Sequence, residues 1–301
     1  MMGEQFWWFY DIIVVAAIGL SMYISGGKGA MKAFSTFVAY LVAIVMALSI
    51  SASVSESLAG NSIKNSNAKK ISRTLESYKF TSKVAEQISG MEDKVIVEPA
   101  QLEKIYKGTK SYDAEIYKLV NNRRGKKISD SQEVFAEKLH KAYAEIVKTI
   151  VSDELGKYAT EVAYKEALDD PESFNTFIPL IIDKEDRTPA AEYIAENYTK
   201  PAYRTITWLI LFLILFVLIL VGMLLLVNYV MGNAYHEQSL ASHIGGVFIG
   251  IPKGIILSFA AAVLVRLFVV MGSDEMLFFN FKAVDKTYLF KYLYNYVADH
   301  M

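Results

Sequence analysis

Three charged residues stand inside or at the edge of long apolar stretches of this chain: Asp11, Lys253 and Arg266. An ionised side chain at the middle of a membrane helix costs on the order of 2.5 to 3.5 kcal/mol, so it is paired, hydrated or drawn to an interface. The chemistry open to such residues is ion pairing or the lining of a path for an ion. Asp11 lies a short way into the first apolar stretch and Arg266 a similar distance before the end of the last. In a molecule of two antiparallel hairpins those depths fall on one side, so Asp11 and Arg266 are expected to pair and lock the first helix against the last. Lys253 and Arg266 frame the uncharged run 254–265. In a transporter or channel subunit, Asp11, Lys253 and Arg266 would together line the path.

Other kinds of chemistry lack the residues they need. The chain has no cysteine, which removes disulfides, thiolate catalysis and thiolate-bound metals. It has no GxSxG and no phosphate loop: Lys253 sits between Pro252 and Gly254, without the Ser or Thr that follows a Walker lysine. His236 and His243 flank one turn beside Glu237 and are read as a solvated loop rather than as metal ligands. The acidic pairs Asp169 with Asp170 and Glu185 with Asp186 are read as solvated. Asn197, Tyr198 and Thr199 form a glycosylation sequon, relevant only where that machinery exists. The reading is therefore non-enzymatic, with no cofactor and no metal. Charge is balanced, 31 Lys and Arg against 32 Asp and Glu, which argues against nucleic acid as a partner.

At 53% hydrophobic over 301 residues, the composition is that of a membrane protein, and the lipid bilayer is the first partner it implies. The elements that must position the charges follow from the apolar runs. A first span is expected from about Phe6 to Ser25. Its aromatic cluster Phe6 to Tyr10 suits an interfacial belt and reads as a retained helix rather than a cleaved signal. A turn over 26–32 leads into a second span, Ala33 to Ser55; the third lies within Thr205 to Tyr235 and the fourth from about Gly246 to Met271. Small residues recur every four positions in three of these: Ala17, Ser21, Ser25 and Gly29; Ser35 through Ala39, Ala43, Ala47 and Ser51 to Ser55; and Gly246, Gly250, Gly254, Ser258 and Ala262. Lipid solvates leucine as well as a neighbouring helix does, so membrane helices associate where small residues let backbones touch. The third span has only bulky side chains along 209–227 apart from Gly222, so it is expected to face lipid or another protein while the other three pack together.

Between the hairpins, the polar segment divides by charge. Residues 60–127 carry 15 basic against 8 acidic side chains, and 128–204 carry 9 against 16. Helical signals dominate it. Asp130 with Glu133 resembles a capping box, and Phe135, Leu139, Ala142, Ile146 and Ile150 share one face of a long helix reaching Leu155. A helix starts at Pro99 and stops at Gly108, another covers 114–120, and Val95 to Val97 is the one strand-like run. Pro171, Pro179, Pro189 and Pro201 break the approach to the third span into short pieces. The tail, Thr287 to Tyr296, is aromatic and cationic, as an interfacial amphipathic element would be.

The membrane parts resemble the colicin V production (CvpA) family of bacterial inner-membrane proteins. The resemblance rests on Tyr10, Asp11, Ile12 and Ile13 opening the first span; on Lys28 and Gly29 followed by Phe34; and on Ile244 to Val247 through Gly250, Lys253 and Gly254. Where the family pattern carries Asp-Arg before the glycine series, this chain has Ser242 and His243. The resemblance covers roughly residues 1–57 and 205–271. It implies a multi-pass protein of the bacterial cell membrane linked to colicin V production or export, without enzymatic activity. Short loops rich in Lys and Arg face the cytoplasm, and that rule puts the polar insertion inside; the resemblance puts it and both termini outside, and outside is the reading adopted.

The expected architecture is all-α: four transmembrane helices as two hairpins, 1–57 and 205–272, with a soluble helical insertion over 58–204 and a tail over 273–301. The insertion is expected to bind a protein partner, and the hairpins to allow a homo-oligomer.

Overall fold

The structure is a computed structural model that describes residues 6–91, 95–109, 111–124, 130–183, 185–232, 239–272 and 281–300, without the side chains of residues 123, 124 and 281. Among these residues the chain is helical and contains no strand. It divides into two compact units, one formed by Met1–Leu58 with Arg204–Met301 and the other by Ala59–Tyr203.

The first unit holds α1 (Trp7–Leu58), most of α10 (Lys200–Met231), α11 (Leu240–Val270), α12 (Phe281–Asp285) and α13 (Phe290–His300). Three helices, α1, α10 and α11, are long and apolar enough to cross a membrane, where the sequence leads to four spans. The difference lies in α1. The expected first and second spans form one helical run of 52 residues, and the expected turn over 26–32 is reduced to a single non-helical residue, Gly29, at φ 70° and ψ 164°. A side chain would be strained at that φ, and glycine is not. The run nevertheless doubles back at Gly29. Ser25 Oγ and Thr36 Oγ1 both contact Lys253 Nζ, at 2.6 and 2.9 Å, whereas a straight helix would set positions eleven apart about 16 Å from one another. The two legs, 7–28 and 30–58, therefore both reach α11.

Small residues line the buried side of each leg: Ser21 and Ser25 before the bend, then Ala39, Ala43, Ala47, Ser51 and Ser55 after it. The outer side carries large exposed apolar groups such as Val15, Leu20, Val45 and Met46. Bulky side chains hold α10 differently. Trp208, Phe212 and Phe216 stack along one face, Phe212 meets Phe259 edge-on at 5.8 Å, and Ile214, Leu218 and Leu225 are exposed on the rest. An apolar belt of this extent suits lipid rather than water.

The second unit packs α2 (Lys64–Ser77), α3 (Phe80–Met91), α4 (Pro99–Gly108), α5 (Tyr112–Arg124), α6 (Gln132–Ser152), α7 (Lys157–Asp169), α8 (Phe174–Ile182) and α9 (Thr188–Tyr193), with π-helical turns at Ala59–Ile63 and Ile194–Thr199. Its core gathers Ile71, Leu75, Phe80, Leu102, Phe135, Leu139, Phe177 and Ile181. The face predicted for α6 is buried, but its cap differs. Ser131 Oγ accepts from Val134 N–H, while Asp130 takes Lys138, and the helix stops at Ser152, short of Leu155. Residues 95–97 have the inside-outside alternation of a strand, Val95 and Val97 buried around an exposed Ile96, but no neighbouring strand pairs with them among the described residues.

Candidate functional site: a buried lysine and a captured tail

The glycine ladder of α11 lies directly on the first leg of α1. An added Cβ at Gly254 would fall 2.8 Å from the Ile18 amide nitrogen and 2.9 Å from the Ala17 carbonyl oxygen; at Gly250 it would fall 2.5 Å from the Ser21 carbonyl oxygen. At Gly246 it would meet the Ser25 and Gly26 backbone. These are backbone atoms that cannot swing aside, so the spacing of four marks a seam that only glycine permits. Further along, Ser258 turns its hydroxyl onto the Gly254 carbonyl at 2.9 Å, and Ala262 is fully buried.

This close approach gives Lys253 its surroundings. The side chain is 4% exposed, and its ammonium donates to Ser25 Oγ at 2.6 Å and Thr36 Oγ1 at 2.9 Å, 5.7 Å from the centre of the Tyr40 ring. Thr36 spends its own proton on the Ala33 carbonyl, 2.9 Å away, which leaves a lone pair for the lysine. Among the described residues no carboxylate meets Lys253. The shell is two hydroxyls and an aromatic face, arranged so that one nitrogen ties both legs of α1 to α11.

Asp11 and Arg266 are not joined to each other. Asp11 Oδ2 accepts from the Tyr288 amide at 2.8 Å, and its Oδ1 accepts from Leu289 and Phe290 at 2.9 and 3.0 Å. The carboxylate thus caps the start of α13, where backbone N–H groups lack helical acceptors and the dipole favours negative charge. Three amides satisfy it without a guanidinium, which is the physical reason that the expected ion pair does not form. Thr287 completes the cap, accepting from Lys291 N–H at 2.8 Å and donating to the Val284 carbonyl at 2.7 Å. Arg266 turns to the same helix: Nη1 lies 3.4 Å from Tyr294 Oη and the guanidinium 5.9 Å from that ring. Phe290, Tyr294 and Val297 are buried, with Phe290 against Tyr10 at 5.1 Å, while Tyr288 and Tyr292 are exposed.

The structure therefore brings Lys253 together with Gly246, Gly250 and Gly254 at one seam, places Gly29 at the bend of α1, and sends Asp11 and Arg266 separately to the tail. Sequence reading missed Thr36, Tyr40 and the amides of residues 288–290. Part of the signal was present, because a cation inside a small-residue ladder must meet polar groups and Ser25 stood on the facing ladder. His243 is exposed on the first turn of α11, and His236 and Glu237 lie outside the described residues. No family model, curated protein or solved structure matches this chain.

Proposed function

We propose that this chain is a CvpA-like integral membrane protein, a non-enzymatic structural or interaction component linked to colicin V production or export and to envelope homeostasis. The observation that carries the reading is the glycine seam. Backbone-close packing of α11 on α1, tied by Lys253, makes a rigid platform rather than a hinge. In this reading the two legs of α1, with α10 and α11, each cross the bacterial cell membrane, making four crossings as two hairpins. The 59–203 unit and the termini lie outside the cell, where that unit recognises a protein partner and the hairpins assemble, with themselves or with others. The chain has no cysteine, so one introduced at the exposed Lys141 reports topology with an impermeant maleimide. Labelling in intact cells is expected; labelling only after lysis would overturn the orientation. A protein that co-purifies with the full chain and is lost on deleting residues 60–200 would support the adaptor role.

A second reading has one observation in its favour: the buried ammonium of Lys253 faces hydroxyls, with no counter-ion among the described residues. A small transporter or channel subunit with an extracellular sensing domain would place such a group on its path. Flux in proteoliposomes that disappears in Lys253→Ala would select it over the scaffold.

A further inference from the structure

One end of the first unit is basic, and three contacts hold it together where α1 bends, α10 stops and α11 begins. Lys32 Nζ donates to the Gly232 carbonyl at 3.3 Å, and the Ala30 amide donates to Ser242 Oγ at 3.1 Å. The His243 ring lies so near Gly26 that an added Cβ there would meet its Cε1 at 3.4 Å and its Nε2 at 3.5 Å. Lys28 and Lys32 thus stand on either side of the Gly29 bend, both half-buried, with the exposed His243 against the same bend.

Residues 21–36, 225–232 and 239–250, which make up this end, contain no aspartate or glutamate. Counting Glu237, which lies outside the described residues, still leaves two lysines against one acid. The opposite end of the same helices differs. There Asp11 and Glu56 supply carboxylates, and each is engaged, the first by the amides that open α13 and the second by Arg204 at 3.3 Å. At the bend two ammonium groups of like sign are held close in the chain, and Lys32 has two of its three donors beyond the one given to Gly232. An anion placed there relieves the repulsion and takes the N–H groups that remain.

The surface leading to the lysines indicates what carries the anion. Leu20 and Ile24 stand eight and four positions before Lys28 on one face of the first leg and are 61% and 50% exposed; Tyr23 next to them is 80% exposed. An apolar flank that ends in a cation matches a molecule with acyl chains and a negative head, whereas a soluble anion makes no use of the flank. Tyr229, at the end of α10, is exposed as an interfacial tyrosine is.

We infer that the Gly29 end binds an anionic glycerophospholipid, its phosphate held by Lys28 and Lys32 with His243 as a further donor, and its acyl chains laid along Leu20, Tyr23 and Ile24. Basic groups gathered between the ends of membrane helices are suited to anionic headgroups. The inference rests on the reading that both legs of α1, with α10 and α11, cross the bilayer. It does not depend on which face is outside.

The test is titration of the full chain in an uncharged detergent with dioleoyl phosphatidylglycerol or dioleoyl phosphatidylcholine, with binding read by native mass spectrometry. Phosphatidylglycerol is expected to bind at least fivefold more tightly. Lys28→Gln combined with Lys32→Gln should bring the two lipids within twofold of each other, while Lys28→Arg with Lys32→Arg keeps the preference. Lys286→Gln with Lys291→Gln removes as many cations near the tail and should keep it too. Lys28 makes no hydrogen bond among the described residues, so Lys28→Gln alone is expected to fold normally and to weaken phosphatidylglycerol at least threefold. Equal binding of the two lipids by the wild type, a double glutamine variant that keeps the preference, or a tail variant that loses it as fully would each overturn the inference. Glycerol 3-phosphate binding as tightly as phosphatidylglycerol would also overturn it, assigning the lysines to a soluble phosphate. Failure of the chain to enter bilayers of either lipid would instead refute the spanning reading, and the inference with it.

Discussion

Replacing Gly250 with alanine adds one methyl group to the chain, yet the structure requires a large response. The new Cβ would fall 2.5 Å from the Ser21 carbonyl oxygen and 2.6 Å from the Met22 amide nitrogen, whereas ordinary contact begins at 3.4 Å. Both neighbours are backbone, so relief demands that α11 and the first leg of α1 part by about 1 Å. The Lys253 ammonium would then lie beyond hydrogen-bonding distance of Ser25, now 2.6 Å away. Overpacking costs about 1 to 3 kcal/mol, and a weakened bond from a charged donor about 1.5 to 3 kcal/mol. Against this stands the better helix propensity of alanine, up to about 1 kcal/mol. The expected net loss is about 3 kcal/mol. The assay is reversible unfolding in mixed micelles by added dodecyl sulfate, read by circular dichroism. Gly19→Ala is the control, because a Cβ there meets nothing within 4 Å and α1 should gain or hold stability. If Gly250→Ala unfolded together with Gly19→Ala, the close-seam account of α1 and α11 would be refuted.

The same unfolding assay separates the roles at the lysine. Thr36→Val strips one acceptor from a buried ammonium and should cost about 1.5 to 3 kcal/mol, whereas Lys253→Met removes the charge along with the need for the acceptor and should be neutral or stabilising; the reverse order would contradict the hydroxyl-shell description. Asp11→Asn keeps one accepting oxygen but loses the charge and the second oxygen, so the amides of Tyr288, Leu289 and Phe290 should exchange with deuterium at least tenfold faster. Unchanged exchange would mean that Asp11 does not hold the tail. In the 59–203 unit, hydrogen bonding from Lys200, opposed by some desolvation and joined by Lys64, holds the Glu196 carboxyl below the ordinary glutamate value of 4.5. The stability from a depressed carboxylate is present above that unfolded value and is lost as pH falls through the lower folded one. Glu196→Gln should therefore flatten the stability profile below about pH 4.5 and leave it little changed near neutrality, with the size of the effect reduced by the partial exposure of the group; an identical acid limb in mutant and wild type would remove Glu196 as its source.

Helical content was legible because periodicity is a local property. Phe135, Leu139, Ala142, Ile146 and Ile150 recur at the spacing of one helix face, and that face is buried in α6. The glycine ladder was legible for a similar reason, since a step of four places residues on one ridge whatever partner the ridge meets. Local reasoning misjudged the cap of α6, where two adjacent oxygen-bearing side chains competed and Ser131 rather than Asp130 took the amide. It also misjudged the break in α1, because a reversal spread over several residues and one concentrated in Gly29 look alike from the sequence Gly26, Gly27, Lys28, Gly29.

What the sequence determined by itself was the set of things that depend on neighbours along the chain: helices, apolar length, and a ridge too small to separate two backbones. The tertiary structure alone decided the partners. Asp11 faced a choice between a guanidinium at the matching depth and three amides brought from residues 288–290, and the amides met it. Lys253 was visible as a costly charge, but its shell is drawn from both sides of the Gly29 bend. The physical reason is common to both. A hydrogen bond is satisfied by whichever group arrives within about 3 Å, and which group arrives is set by how helices distant in sequence pack.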